Sequence, residues 1–210
     1  MQNSVKIERI NTYNDERFSK IALLQHGCFV VNDSETYEFE ITSISSAIVR
    51  YSNSGLFLES VAEEFRFYAG FIYKFYDDLG SLVFETKMPD LIDIEIEAIQ
   101  PSQFFVSQEK LDAIKSCLRS IDDIVIPVFF NSGKLVSVDG HTRMLFAYLD
   151  GTKILKGMLV DYDAITMKFA DEAIKRDIHN VRDLKILSPE KYNEEWNGFC
   201  DYFLKHLDNE

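Results

Sequence analysis

Leu135-Val-Ser-Val-Asp139-Gly140-His141-Thr142-Arg143-Met144-Leu145-Phe-Ala147-Tyr148-Leu149 holds a strand, a tight turn and a helix start in one short run. Leu135 to Val138 is apolar and extended in pattern. Asp139-Gly140 suits a sharp turn, because glycine has no Cβ to oppose a positive φ. Met144, Leu145, Ala147, Tyr148 and Leu149 then recur at helical spacing and give that helix one apolar face. The free N–H groups of the helix start lie beside Thr142 and Arg143, a combination that favours an anion such as phosphate.

The pattern extends on both sides of this run. Upstream, Ile92 to Glu97 alternates as a strand and leads into Ile99-Gln-Pro101-Ser102-Gln103. Ser107 is placed to N-cap a helix reaching Ser120, with Leu111, Ile114 and Leu118 on one face. Ile124 to Phe130 is an apolar strand, and Asn131-Ser-Gly133 turns it into the strand before Asp139. Downstream, Ile154 to Val160 is a further strand. Helices are expected over Ala164 to Arg176 and Pro189 to Leu207, the second holding Trp196, Phe199, Tyr202 and Phe203.

The first ninety residues read as mixed α and β. A helix is expected over Asp15 to Leu24 and strands over Cys28 to Val31, Tyr37 to Ile41 and Ala47 to Tyr51, with a turn at Asn32-Asp33-Ser34. Val61, Ala62, Phe65, Tyr68, Ala69, Ile72, Phe75 and Tyr76 predict one long helix over Leu58 to Tyr76, ended by Asp77-Asp78-Leu79-Gly80, with a strand at Leu82 to Glu85. Met88-Pro89-Asp90 is the best boundary in the chain. The expected fold class is α/β in the α+β sense, in three parts: 1–90, 91–161 and 162–210.

Composition sets limits on function. The chain has 210 residues, 46% apolar and 27% charged, as in an ordinary globular protein, and its 17 Phe and 10 Tyr imply an aromatic core. Net charge is −13 and no segment concentrates Lys or Arg, so nucleic acid is disfavoured as a partner. No apolar run is long enough to cross a membrane, the first residues lack a signal-like stretch, and Cys28, Cys117 and Cys200 show no paired spacing. These features lead to the expectation of a reduced, cytoplasmic protein. The four histidines are scattered and show no metal-ligand spacing; His26 is assigned to packing and His179 to a turn. Asp93, Glu95 and Glu97 are read as the wet face of a strand.

Four pieces between residues 91 and 161 carry a resemblance to the ParB/sulfiredoxin-like superfamily. They are Ile99-Gln-Pro101 after a strand, the helix opened by Val106-Ser107-Gln-Glu109-Lys, Ile126-Pro127-Val128, and Val138-Asp139-Gly140-His141-Thr142-Arg143. The resemblance implies a ParB/sulfiredoxin-like core between an α+β N-terminal segment and C-terminal helices. It also implies a nucleotide (ATP, ADP or CTP) whose phosphates sit on the turn. The Asp-Gly-His-x-Arg form is closest to ADP-dependent kinases acting on free serine. The chain lacks the Gly-Glu-Arg-Arg turn of the partition proteins and a helix-turn-helix after Asp161, and no cysteine stands in the turn as in sulfiredoxins. Where the serine kinases place an acid after the first-loop proline, this chain has Gln103, which cannot act as a base. Glu97 and Glu109 are the nearest alternative acids.

On this resemblance the phosphate-binding candidates are Gly140, His141, Thr142 and Arg143, with Arg143 as a paired donor. Asp139 and His141 are the catalytic candidates. Asp139 is equally a structural turn residue or a ligand for Mg2+. Pro101, Ser102 and Gln103 form the loop expected to line the same pocket. The leading expectation is a nucleotide-binding protein, with phosphoryl transfer to a small-molecule acceptor as its reaction if it is an enzyme. The alternatives are a non-catalytic nucleotide-binding or interaction module and, third, a DNA-associated nuclease-like protein. A homo-oligomer remains open.

Overall fold

A computed structural model describes residues 5–206. The fold is α+β, and contacts divide the chain into two compact units. One holds the residues up to Asp90 together with Ser116–Asp123. The other holds Leu91–Lys115 and the chain from Ile124 onward, so the residues after 161 group with the middle segment.

The first unit is built on a six-stranded sheet whose spatial order follows the sequence. Its elements are β1 (Ile7–Arg9), α1 (Lys20–Leu24), β2 (Cys28–Val31), β3 (Glu35–Ile41), β4 (Ser46–Tyr51), α2 (Leu58–Tyr68), β5 (Lys74–Tyr76) and β6 (Leu82–Glu85). All neighbours are antiparallel except β4 and β5, which pair in parallel. A parallel pair needs a crossover, and α2 supplies it. That requirement corrects the expectation of one helix over 58–76. The helix stops at Tyr68, and Ile72 and Phe75 are core residues beyond the helix, both 0% exposed. Asp77 to Gly80 is accordingly the turn of the β5–β6 hairpin, not a helix stop. The first helix is also shorter than expected, because the Ser19 side chain caps it by accepting from Ala22 N.

The core of this unit is aromatic. Phe39 stacks on Phe65 with centroids 4.6 Å apart, and Phe29 and Phe75 meet Phe39 edge-on. Against the same sheet, Arg50 joins Glu38 at 2.7 Å, Glu40 at 3.0 Å and Asp78 at 2.7 Å, while Arg119 reaches Glu40 at 2.6 Å.

The second unit carries β7 (Leu91–Glu95), β8 (Ile99–Gln100), β9 (Phe105–Ser107), α3 (Gln108–Cys117), β10 (Val125–Asn131), β11 (Lys134–Ser137), α4 (His141–Leu149), β12 (Ile154–Leu159), α5 (Ala164–Ile174), β13 (Lys185–Leu187), α6 (Pro189–Tyr192) and α7 (Gly198–His206). Its five-stranded sheet has the order β7-β12-β10-β11-β8. β10 and β11 form an antiparallel hairpin, β12 runs parallel to β10, and β8 runs parallel to β11 with Ile99 opposite Leu135. A separate parallel ribbon joins β9 to β13.

Several boundaries move. Ser107, expected as an N-cap, is the buried last residue of β9 and directly precedes α3 as expected, but α3 ends at Cys117 rather than Ser120. The C-terminal helix is interrupted by a π-turn over Asn193–Asn197, and its expected end at Leu207 lies outside the described residues. Phe104, Phe169, Phe199 and Phe203 pack around Trp196 and each other and fix these helices to the body of the unit.

Candidate functional site

Parallel pairing of β8 with β11 makes both strands leave the sheet in the same direction. The loop Pro101-Ser102-Gln103 and the turn Val138-Asp139-Gly140 therefore emerge side by side at their carboxyl ends. Gly140 makes the turn with φ +84° and ψ +15°, and α4 begins at the next residue without any side-chain cap. Alanine at this position would be strained twice. Its φ is left-handed, and an added Cβ would stand 2.9 Å from Ile126 Cδ1 and 3.1 Å from Arg143 Nη2.

His141 joins the two segments. It is buried, and its Nε2 lies 3.1 Å from the Ser102 backbone N, 3.3 Å from Ser102 Oγ and 3.0 Å from Ser137 Oγ. A backbone N–H can only donate, so Nε2 is the acceptor and the ring proton resides on Nδ1. Burial pushes the pKa down to about 4; Asp139 opposes this, and Arg143 and Lys110 add to it. The imidazole is thus neutral at physiological pH, and its Nε2 is occupied by protein groups.

A cavity of about 230 Å³ opens beside this junction. Ser102, Gln103, Asp139 and His141 contribute to its wall, whereas Pro101, Gly140, Thr142 and Arg143 do not. The opposite wall is Val138 with Ile165, Thr166, Phe169 and Trp196, the last four from the C-terminal helices. Solvent reaches the Asp139 side chain, which is 61% exposed, even though protein crowds it at longer range, as for a group at the mouth of a recess. Burial alone would raise its pKa. The Arg143 guanidinium, the Gly140 N–H, His141 and Lys110 together outweigh that effect, so the carboxyl ends below its ordinary value. The Arg143 side chain is 22% exposed and folds back with Nη2 3.5 Å from Asp139 Oδ2.

The remaining polar side chains are oriented by their neighbours. Gln103 donates Nε2 to Phe105 O and to Tyr192 Oη. Tyr192 Oη is also 3.4 Å from Lys110 Nζ, which brings a cation towards the site from α3. Thr166 donates Oγ1–H to Asp163 Oδ2 at 2.5 Å, inside the N-cap of α5.

The two alternative acids do not reach the cavity wall: Glu97 pairs with Arg182 at 3.4 Å, and Glu109 is exposed on α3. No cysteine lines the cavity either. Burial pushes the Cys28 thiol up to about 12 and Cys200 up to about 11, and it raises Cys117, so none is poised as a thiolate. Residues not singled out from sequence are Ile165, Thr166, Phe169, Lys110 and Tyr192. Trp196, placed from sequence only on the C-terminal helix, packs on Phe104 at 4.8 Å and also faces the cavity.

No helix among the described residues is long and apolar enough to cross a membrane. No protein-family model matches the chain, and no curated protein does. Among solved structures, the crystal structure of protein Atu1540 from Agrobacterium tumefaciens is similar at a TM-score of 0.35 and 17% identity. That similarity covers 47% of this chain and 62% of the other.

Proposed function

We propose that the second unit is a nucleotide-binding module of the ParB/sulfiredoxin-like kind, holding the phosphates of ATP, ADP or CTP at the start of α4. The observation that carries this reading is the uncapped helix start at Gly140, with Arg143 beside it and Asp139 at the mouth of the adjoining cavity. Free amide groups and a guanidinium at one helix start are complementary to phosphate oxygens. The cavity itself is below the range of roughly 300–1,000 Å³ for sites that enclose a drug-sized ligand, so the nucleoside would lie outside it.

Mg2+ fits this site only together with phosphates. Asp139 is the one carboxylate in the cavity wall, and the described residues contain no cluster of three or more candidate ligands. A single carboxylate completed by phosphate oxygens and water is an ordinary Mg2+ environment. Asp139 would hold the ion, which would neutralise phosphate charge.

Phosphoryl transfer to a small molecule is the second reading, favoured by a solvent-reachable carboxylate beside the proposed phosphate position. A purely binding role is favoured by the lack of a strong base: Gln103 has no carboxylate, His141 Nε2 is occupied, and Asp139 is held ionised by Arg143. Thermal shifts with ATP, ADP and CTP, with and without Mg2+, test binding, and release of ADP or AMP tests turnover. Stabilisation of a few degrees by at least one nucleotide at saturation is expected, lost in Arg143→Ala. Absence of any shift at millimolar nucleotide would refute the reading.

A further inference from the structure

The C-terminal helix that brings Trp196 to the cavity is held very differently at its two ends. Upstream, β13 pairs with β9 and the Ser188 side chain caps α6 by accepting from the Lys191 N–H. Tyr192 is buried, and its Oη accepts from Gln103 Nε2 at 3.1 Å and lies 3.4 Å from Lys110 Nζ. Downstream, none of the described residues from Asn193 to His206 is buried. Rings join that stretch to the body of the unit: Trp196 and Phe199 meet Phe104 at 4.8 and 5.0 Å, and Phe203 meets Phe169 at 4.9 Å. By contrast α5, which supplies the neighbouring part of the same wall, buries Thr166, Ala170 and Ala173.

The π-turn over Asn193–Asn197 separates the two halves, and there the Gly198 N–H donates to Asn193 O. Such a turn holds one residue more than an α-turn, so it sets the rings of α7 roughly 100° round from where an unbroken α-helix would put them. It is also a point at which helices bend. Few buried side chains, an exposed backbone and a bend point together mark a segment that opens more easily than the rest of its unit. Trp196 stands in this turn and in the cavity wall at once.

We propose that the stretch from Asn193 to His206 is a lid on the cavity, swinging out about the π-turn while Tyr192 stays anchored. Opening carries Trp196 away from Phe169 and turns the recess into an open cleft through which a ligand enters. Closure returns Phe199 to Phe104 and Phe203 to Phe169. The lid needs no nucleotide, so its failure would leave the nucleotide reading untouched.

The test uses two reporters already on the lid of the full chain, Cys200 and Trp196, the latter the only tryptophan. Alkylation of Cys200 by iodoacetamide is read by peptide mass, and acrylamide quenching of Trp196 is followed in parallel, with urea raised below the unfolding transition. Lid opening exposes little surface, so labelling through it should hardly depend on urea, whereas labelling through global unfolding depends on it steeply. Phe203 is not part of the cavity wall, and Phe203→Ala should raise Trp196 quenching and speed Cys200 labelling by about tenfold. Tyr202→Ala removes a ring that is 64% exposed on the same helix and should change neither reporter. If circular dichroism shows Phe203→Ala to be misfolded, Phe203→Leu takes its place, with a smaller rise of the same sign. Cys200 labelling that tracks global unfolding at every urea concentration, no response to the Phe203 variant, or an equal response to Tyr202→Ala would each overturn the proposal.

Discussion

The Ser102 backbone N–H donates to His141 Nε2 across 3.1 Å, tying the first loop to the first residue of α4. Both partners are buried, at 6% and 4% exposure, where they form part of the cavity wall.

His141→Ala should therefore leave the Ser102 N–H without its acceptor and open a void. A loss of about 2–4 kcal/mol is expected from these two effects together. The same residue sets a pH dependence. Its pKa lies near 4 in the folded chain, against about 6.5 for a free imidazole, so between these values the unfolded chain binds the extra proton. Stability should fall as pH drops from about 6.5 towards 4, by up to roughly 1.4 kcal/mol per pH unit, and should be insensitive to this group above that window. Melting temperatures at pH 7.5 and pH 5 should differ less in His141→Ala than in the parent.

Gly140→Ala is compared with Gly133→Ala. Both glycines have a left-handed φ, +84° and +81°, but a Cβ at Gly133 meets nothing within 4 Å, while one at Gly140 meets Ile126 and Arg143. The backbone cost of about 1–2 kcal/mol is common to both. Any further loss in Gly140→Ala measures the clash, and denaturant midpoints should place that variant clearly lower.

Asp139→Asn removes the candidate Mg2+ ligand while keeping the side-chain shape. In the parent, Mg2+ should increase the thermal shift given by a nucleotide and give no shift alone. In the variant, the Mg2+ increment should disappear and nucleotide alone should still bind. A preserved increment would place the ion elsewhere.

Arg50→Met takes the cation from Glu38 and leaves Glu40 with Arg119 alone, on side chains only 10% and 11% exposed. Removing one partner from a largely buried ion pair typically costs about 3–5 kcal/mol, to be discounted here because Arg50 is itself about one-third exposed. Arg50→Lys should recover little, since a compact ammonium does not span the three carboxylates that Nε, Nη1 and Nη2 of the guanidinium reach separately. Chemical denaturation of the three proteins gives the comparison.

The Asp139-Gly140 turn and the helix after it were legible because glycine, a strand pattern and a helical pattern meet there within a few residues. The 58–76 stretch was not. Ile72 and Phe75 are buried on the same core as Phe65, so apolar spacing continues past the point where the backbone changes from helix to strand. Three-residue strands such as β1 and β5 carry too few side chains to show a period. The far wall of the cavity stayed hidden for a different reason. Phe169 and Trp196 recur at core spacing, and nothing local separates an aromatic that faces a void from one packed solid. The pairing of Gln103 with Tyr192 joins residues that only tertiary structure brings together.

The hairpin of β10 and β11 has a practical corollary for handling this protein. Its tip, Ser132-Gly133, lies at the end of β11 away from Ser137, about 13 Å distant at ~3.3 Å per residue, and glycine there borders open space. A fluorophore, affinity handle or short peptide graft at that tip would leave both the β8 loop and the α4 entrance undisturbed, giving a surface attachment point for immobilised binding assays.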